Sequence, residues 1–244
     1  MSDHANELLT ARLRSERGFT LIEVMVALMI GVVVSGATLA IVIVSVHLGS
    51  NYTDRVDANQ QGRLAMEKIT QALDSSCVTP NQAPILGGST GTSMSFYSGQ
   101  NDIPGAIPNE ITISLASPQP VPLLMSTQTL TGSAPTWTPT STAPTVYTLA
   151  PSVKQSVSAG ATLPVFQYYG YGSGGAIATV PFTVASGGLT AAQAAATAKV
   201  AISYQVLPTD NESAIGRAVD FSDAVVFRLT PPSGSPNVAN LPCA

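Results

Sequence analysis

Arg17-Gly18-Phe19-Thr20-Leu21-Ile22-Glu23-Val24 is the stretch on which the reading of this chain turns. Glu23 is the only charged residue between Phe19 and Asp54. From Thr20 to Leu48 the side chains are mostly Leu, Ile, Val, Met and Ala, with Gly31, Gly36 and a few hydroxyls among them. An apolar run of about 18 residues or more reads as a membrane-spanning helix, and this one is longer. Glu23 lies one turn inside it. An ionised carboxylate in hydrocarbon costs about 2.5–3.5 kcal/mol even on lenient insertion scales, so it calls for a partner. A cut between Gly18 and Phe19 would supply one, the new α-amine of Phe19 in the same or a neighbouring subunit. Without that cut the segment is a signal anchor carrying a stray acid.

Gly18, Phe19, Thr20, Leu21, Ile22 and Glu23 resemble, position for position, the prepilin signal of the type IV pilin family. The resemblance implies removal of a leader, residues 1–18, by a prepilin peptidase on the cytoplasmic side. It also implies N-methylation of Phe19 and a role for Glu23, fifth in the mature chain, in docking into a filament. The implied fold is α+β and pilin-like, a long N-terminal helix packed on an antiparallel β-sheet domain. Other pilins or minor pilins would be the partners, met through that helix. The protein would wait in the bacterial inner membrane as a single-pass precursor and reach the pilus or cell surface on assembly.

The leader places Arg12, Arg14 and Arg17 just before the apolar run, which holds this end in the cytoplasm. An ordinary signal peptide loses its apolar core with the leader. Here the cut precedes the core, so the helix stays with the product. The expected organisation is a leader (1–18), a transmembrane helix (19–48), its periplasmic continuation (49–76) and a β-rich head (77–244). Val56, Leu64, Ile69 and Leu73, with Ala65 and Ala72, give the continuation an apolar stripe that the head should cover. Asp74-Ser75-Ser76 and then Pro80 end it.

Beyond Cys77 the apolar period shifts to two. Met94 and Phe96, then Ile111, Ile113 and Leu115, then Val180, Phe182 and Val184 alternate with smaller or polar residues. Val165 to Tyr169, then Val200, Ile202, Tyr204 and Val206, then Val225, Phe227 and Leu229 predict further strands with one wet face. Seven prolines fall between Ser117 and Pro151. That composition predicts long surface loops flanking short edge strands near Pro122–Met125 and Val146–Leu149. Thr190 three residues before Gln193 is a capping-box spacing and predicts a short helix ahead of the Val200 strand. The order of elements over roughly residues 160–230 is similar to PilW-type minor pilins and to the J-type pseudopilin of type II secretion.

Charged residues make up 10% of the chain and the net charge is −4. Past Leu48, ten acidic residues stand against seven basic ones. General nucleic-acid binding is therefore disfavoured. The two cysteines, Cys77 and Cys243, both follow the membrane segment, where an oxidising compartment permits a disulfide. Closing so long a loop is worth about 5 kcal/mol on the loop-entropy model. The alternative is two free thiols.

Little in the chain suggests catalysis. The only histidines are His4 in the leader and His47 in the apolar helix, so the head lacks a Ser-His or Cys-His nucleophile and His-ligated zinc. Lys154 and Lys199 would be the only lysines for a Ser-Lys pair in the head, and nothing marks either as buried. Gly170-Tyr171-Gly172-Ser173-Gly174-Gly175 has dinucleotide-loop spacing without the strand–helix context, and reads as a hairpin or loop. Asp210, Glu212, Asp220 and Asp223 form a carboxylate group that a calcium ion could use, but with no EF-hand spacing. The sequence thus points to a non-enzymatic minor pilin with no cofactor or metal. A pseudopilin of type II secretion or DNA uptake is the alternative, as is a tip adhesin using loops at 117–151.

Overall fold

The computed structural model describes residues 18–78, 82–99, 107–133, 136–172, 175–208 and 218–227. The chain divides into two units, Met1–Asn51 and Tyr52–Ala244. One helix, α1 (Leu21–Asp74), contributes to both.

In the first unit α1 is exposed throughout its described length. Its hydroxyls and imidazole turn back onto their own helix: Thr38 Oγ1 donates to the Val34 and Ser35 carbonyls, Ser45 Oγ to Ile41, and His47 Nδ1 lies 3.1 Å from the Ile43 carbonyl. Polar groups satisfied within the helix are compatible with an apolar solvent.

The second unit is an antiparallel sheet with the rest of α1 built into its core. The strands are β1 (Ser93–Ser98), β2 (Asn109–Leu115), β3 (Val121–Ser133), β4 (Thr136–Pro139), β5 (Thr145–Lys154), β6 (Val157–Ser158), β7 (Ala161–Thr162), β8 (Phe166–Tyr169), β9 (Lys199–Val206) and β10 (Val219–Val226). The sheet runs β1-β2-β3-β5-β9-β10, with β4 added to β3 and β8 to β9; β6 and β7 make a separate ribbon. Met94, Phe96, Ile111, Ile113 and Leu123 share one buried cluster with Val200, Ile202, Tyr204 and Val206 and with Ile69 and Leu73 of α1. The other face is wet and rich in hydroxyls, as where Ser95 Oγ meets Thr112 Oγ1 at 2.7 Å.

The helix stripe is phased differently from expectation. Ile69, Leu73, Ala65 and Ala72 are buried, but Val56 and Leu64 are 52% and 59% exposed. Ala58 and Met66 are buried instead, and a Cβ on Gly62 would strike the Phe221 ring. Small helix residues face the sheet because strand aromatics fill that space: Phe221 stacks on Tyr204 with centroids 5.7 Å apart, and the Tyr204 hydroxyl donates to the Gly62 carbonyl at 2.9 Å.

Two expectations need correction. The strands expected near Pro122–Met125 and Val146–Leu149 are present within β3 and β5, but they are long and pair with each other inside the sheet, so 117–151 is not a set of loops flanking short edge strands. The register shifts between Val121 and Leu124, around Pro122, so the proline that lacks an amide sits at an irregularity in the ladder. A tip adhesin built on loops at 117–151 loses its structural basis. Val180, Phe182 and Val184 form no strand. Pro181 interrupts them, and the segment makes isolated bonds to the β8 region, Phe182 N–H to Tyr168 and Ala178 N–H to Gly170. Their alternation records side-chain placement: Phe182 and Val184 pack on the core while Val180 is exposed.

The final strand begins earlier than its apolar pattern suggests, at Val219, and Leu229 lies outside the described residues. Thr190 caps α2 (Ala191–Ala195), accepting from the Gln193 amide while the Gln193 side chain accepts from the Thr190 amide. The residues flanking the glycine segment's centre come together, with Tyr171 bridged to Ile177 and Gly172 N–H bonded to Ala176.

Candidate functional site

Gly18, Phe19 and Thr20 precede α1 without regular structure, and Phe19 is 79% exposed. Thr20 starts the helix. Its carbonyl accepts from Glu23 N–H at 3.0 Å and Val24 N–H at 3.2 Å, and its Oγ1 lies 3.4 Å from Glu23 N. The Thr20-Leu21-Ile22-Glu23 spacing is that of a capping box. Reading Thr20 only as part of the motif misses its role as the N-cap, although this spacing was the available signal. Glu23 falls in the first turn, where the helix dipole favours a negative charge.

Phe19, Glu23, Val24, Ala27, Leu28, Gly31, Val32 and Ser35 line a shallow groove of about 740 Å³ along this part of the helix. Among the described residues nothing lies within 4 Å of where a Cβ on Gly31 or Gly36 would sit, so no packing among them requires those glycines. The result is an open apolar helix surface with one carboxylate near its start. The helix is long and apolar enough to cross a membrane.

The other residues singled out by sequence do not converge. Cys77 is buried beyond the end of α1, and no cysteine among the described residues is free. Cys243 lies outside the described residues, as do Asp210 and Glu212. Asp220 and Asp223 are three apart on β10, so their side chains leave opposite faces. Asp220 accepts from Ser156 Oγ at 3.2 Å, and Asp223 accepts from the Ala224 amide at 2.8 Å. The four carboxylates therefore do not form one described site. Among the described residues no group of three metal-ligating side chains occurs. Lys199 is partly buried rather than freely solvated, with its Nζ 4.0 Å over the Tyr169 ring.

Two groups on the wet face shift from their ordinary values. Burial raises the Glu110 carboxyl, and burial together with the Glu110 charge raises Tyr97, its partner across β1 and β2. A carboxyl raised on folding adds stability below its unfolded value, and that contribution is lost as pH rises through the folded value. Glu110→Gln should therefore unfold at higher denaturant than the parent near pH 7, with the difference vanishing at about pH 3. Urea titrations at both pH values check this; a parent that is the more stable at neutral pH would contradict it.

A helix with an exposed apolar first part and a second part built into an antiparallel sheet is the α+β, pilin-like arrangement. Residues 13–39 match the prokaryotic N-terminal methylation motif, which supports a protein of the type IV pilin and pseudopilin class. No curated protein and no solved structure matches the chain.

Proposed function

We propose that this protein is a structural minor pilin, not an enzyme, which primes or joins a type IV pilus after processing. The observation that carries this reading is the methylation motif over residues 13–39, with Glu23 capped into the first turn of an exposed apolar helix. Prepilin peptidase cuts between Gly18 and Phe19, and Phe19 is N-methylated. Residues 19–48 hold the precursor in the inner membrane, residues 49–76 continue the helix, and residues 77–244 form the head. Glu23 then meets the freed amine of Phe19 or of a neighbouring subunit. Cys77, at the end of α1, is joined to Cys243 and ties the C-terminus to the helix.

Sequencing the protein extracted from membranes tests the first step. The expected N-terminus is Phe19, heavier by one methyl group; a chain beginning at Met1 would overturn the proposal. A deletion strain that keeps its surface pili but loses secretion would move the protein from pilus to pseudopilin.

A further inference from the structure

A free sheet edge offers a row of unpaired backbone donors and acceptors, and proteins commonly cover or blunt it. This domain covers two of its edges with its own backbone. Along β1, Cys77 N–H bonds to Tyr97, Leu86 N–H to Ser95 and Thr90 N–H to Ser93. Along β8, Phe182 N–H bonds to Tyr168. β10 is different: among the described residues it pairs only with β9, and no other described strand runs along its far side.

The ladder identifies which groups face outward. Phe227 N–H bonds to Ala198, next in register after Val226 opposite Lys199. Antiparallel pairs alternate between bonded and non-bonded, so Val225, Phe221 and Val219 also point toward β9. Ser203 N–H bonds to Val165 on the far side of β9, which fixes the same alternation. The backbone groups of Asp220, Ser222, Ala224 and Val226 therefore point away from the sheet. Of these four amides, that of Ala224 is occupied by the Asp223 carboxylate beside it. Asp220 and Asp223 put one negative charge on each face of the edge, and both are exposed.

We propose that the outer edge of β10 docks an extended, basic segment of another polypeptide, which joins the sheet as an added strand. Main-chain hydrogen bonds to the outward carbonyls and to the amides of Asp220, Ser222 and Val226 supply the adhesion, as in other strand-addition complexes. Two cationic side chains three positions apart meet Asp220 on one face and Asp223 on the other. Two copies of β10 would instead bring carboxylates together, which disfavours self-pairing. The proposal does not depend on the prepilin reading.

Amide hydrogen exchange of the full chain in detergent micelles tests it, with the capped peptide Thr-Val-Lys-Val-Thr-Lys-Val-Thr as probe. Without peptide, Ser222 and Val226 should exchange much faster than Phe221 and Val225. Saturating peptide should slow the outward amides at least about tenfold. The same peptide with alternate backbone nitrogens methylated, or with both lysines replaced by glutamate, should not. Ser222→Pro removes an outward donor without touching the β9 ladder, so it should abolish protection and leave the unfolding midpoint unchanged. Outward amides already slow in the free chain would mean that its own residues or a second copy cover the edge, and would overturn the proposal. So would parent amides unmoved by the lysine peptide, or equally protected by the glutamate one; neither result depends on the variant folding.

Discussion

Replacing Glu23 with alanine should leave the chain cut, methylated and lodged in the membrane, yet remove it from the filament fraction. Membrane residence should not suffer, because losing an acid near hydrocarbon removes an insertion penalty of about 2.5–3.5 kcal/mol rather than adding one. The helix itself loses a charge that its dipole favours, worth about 0.3–1 kcal/mol, a small part of a helix this long. What disappears is the only charge between Phe19 and Asp54, the one proposed to meet the amine that cleavage would create. Incorporation should fall by more than about tenfold, as expected for losing one charge-assisted pair in a poorly solvated setting. The ratio of protein in sheared filaments to protein in membranes measures it. Alanine-variant filaments as rich in the protein as the parent's would remove Glu23 from the assembly step.

Gly188→Ala should cost the head a large part of its stability. Gly188 has φ +86, and a Cβ there would collide with the backbone of Gly88. That close approach joins two segments: Leu189 N–H bonds to Ser89 at 2.7 Å, and Gly88 N–H bonds to Leu189 at 2.9 Å. Leu189 is buried there, and Thr190 begins α2 immediately after it. An alanine brings left-handed strain of about 1–2 kcal/mol and must also push the Gly88 backbone aside, for a total of about 2–4 kcal/mol. For a domain of this size that lowers Tm by about 5–12 °C. Gly187→Ala is the control, since nothing lies within 4 Å of its Cβ position and its φ is ordinary. Its change should stay within about 0.5 kcal/mol. Equal melting of the two variants would show that the Gly88–Gly188 contact carries no weight.

The parts of this molecule legible in sequence are those where side-chain period and burial coincide. Val200, Ile202, Tyr204 and Val206 alternate and all face the core, as do Met94 and Phe96. The apolar helix with its leading glycine, phenylalanine and acid was equally plain. The hairpin of β3 and β5 was hidden because its threonines and prolines imitate a loop, and a ladder irregularity that admits Pro122 has no mark of its own. The phase of the helix stripe was misread for a related reason. Gly62 faces the sheet because the Phe221 ring opposite it is large, which a single segment does not reveal. At the candidate site, Thr20 was visible as a letter of the motif but not as the cap that starts the helix.

The bond from Tyr204 to Gly62 joins residues 142 positions apart. Because β9 is synthesised long after α1, the helix residues beneath it emerge without their cover. At about 5–20 residues per second, Gly62 waits about 7–28 s for the tyrosine that covers it. A chain made N-terminus first therefore carries an unfinished interior until β9 arrives. Holding factors have that interval in which to act, and head folding completes only when the last third of the polypeptide arrives.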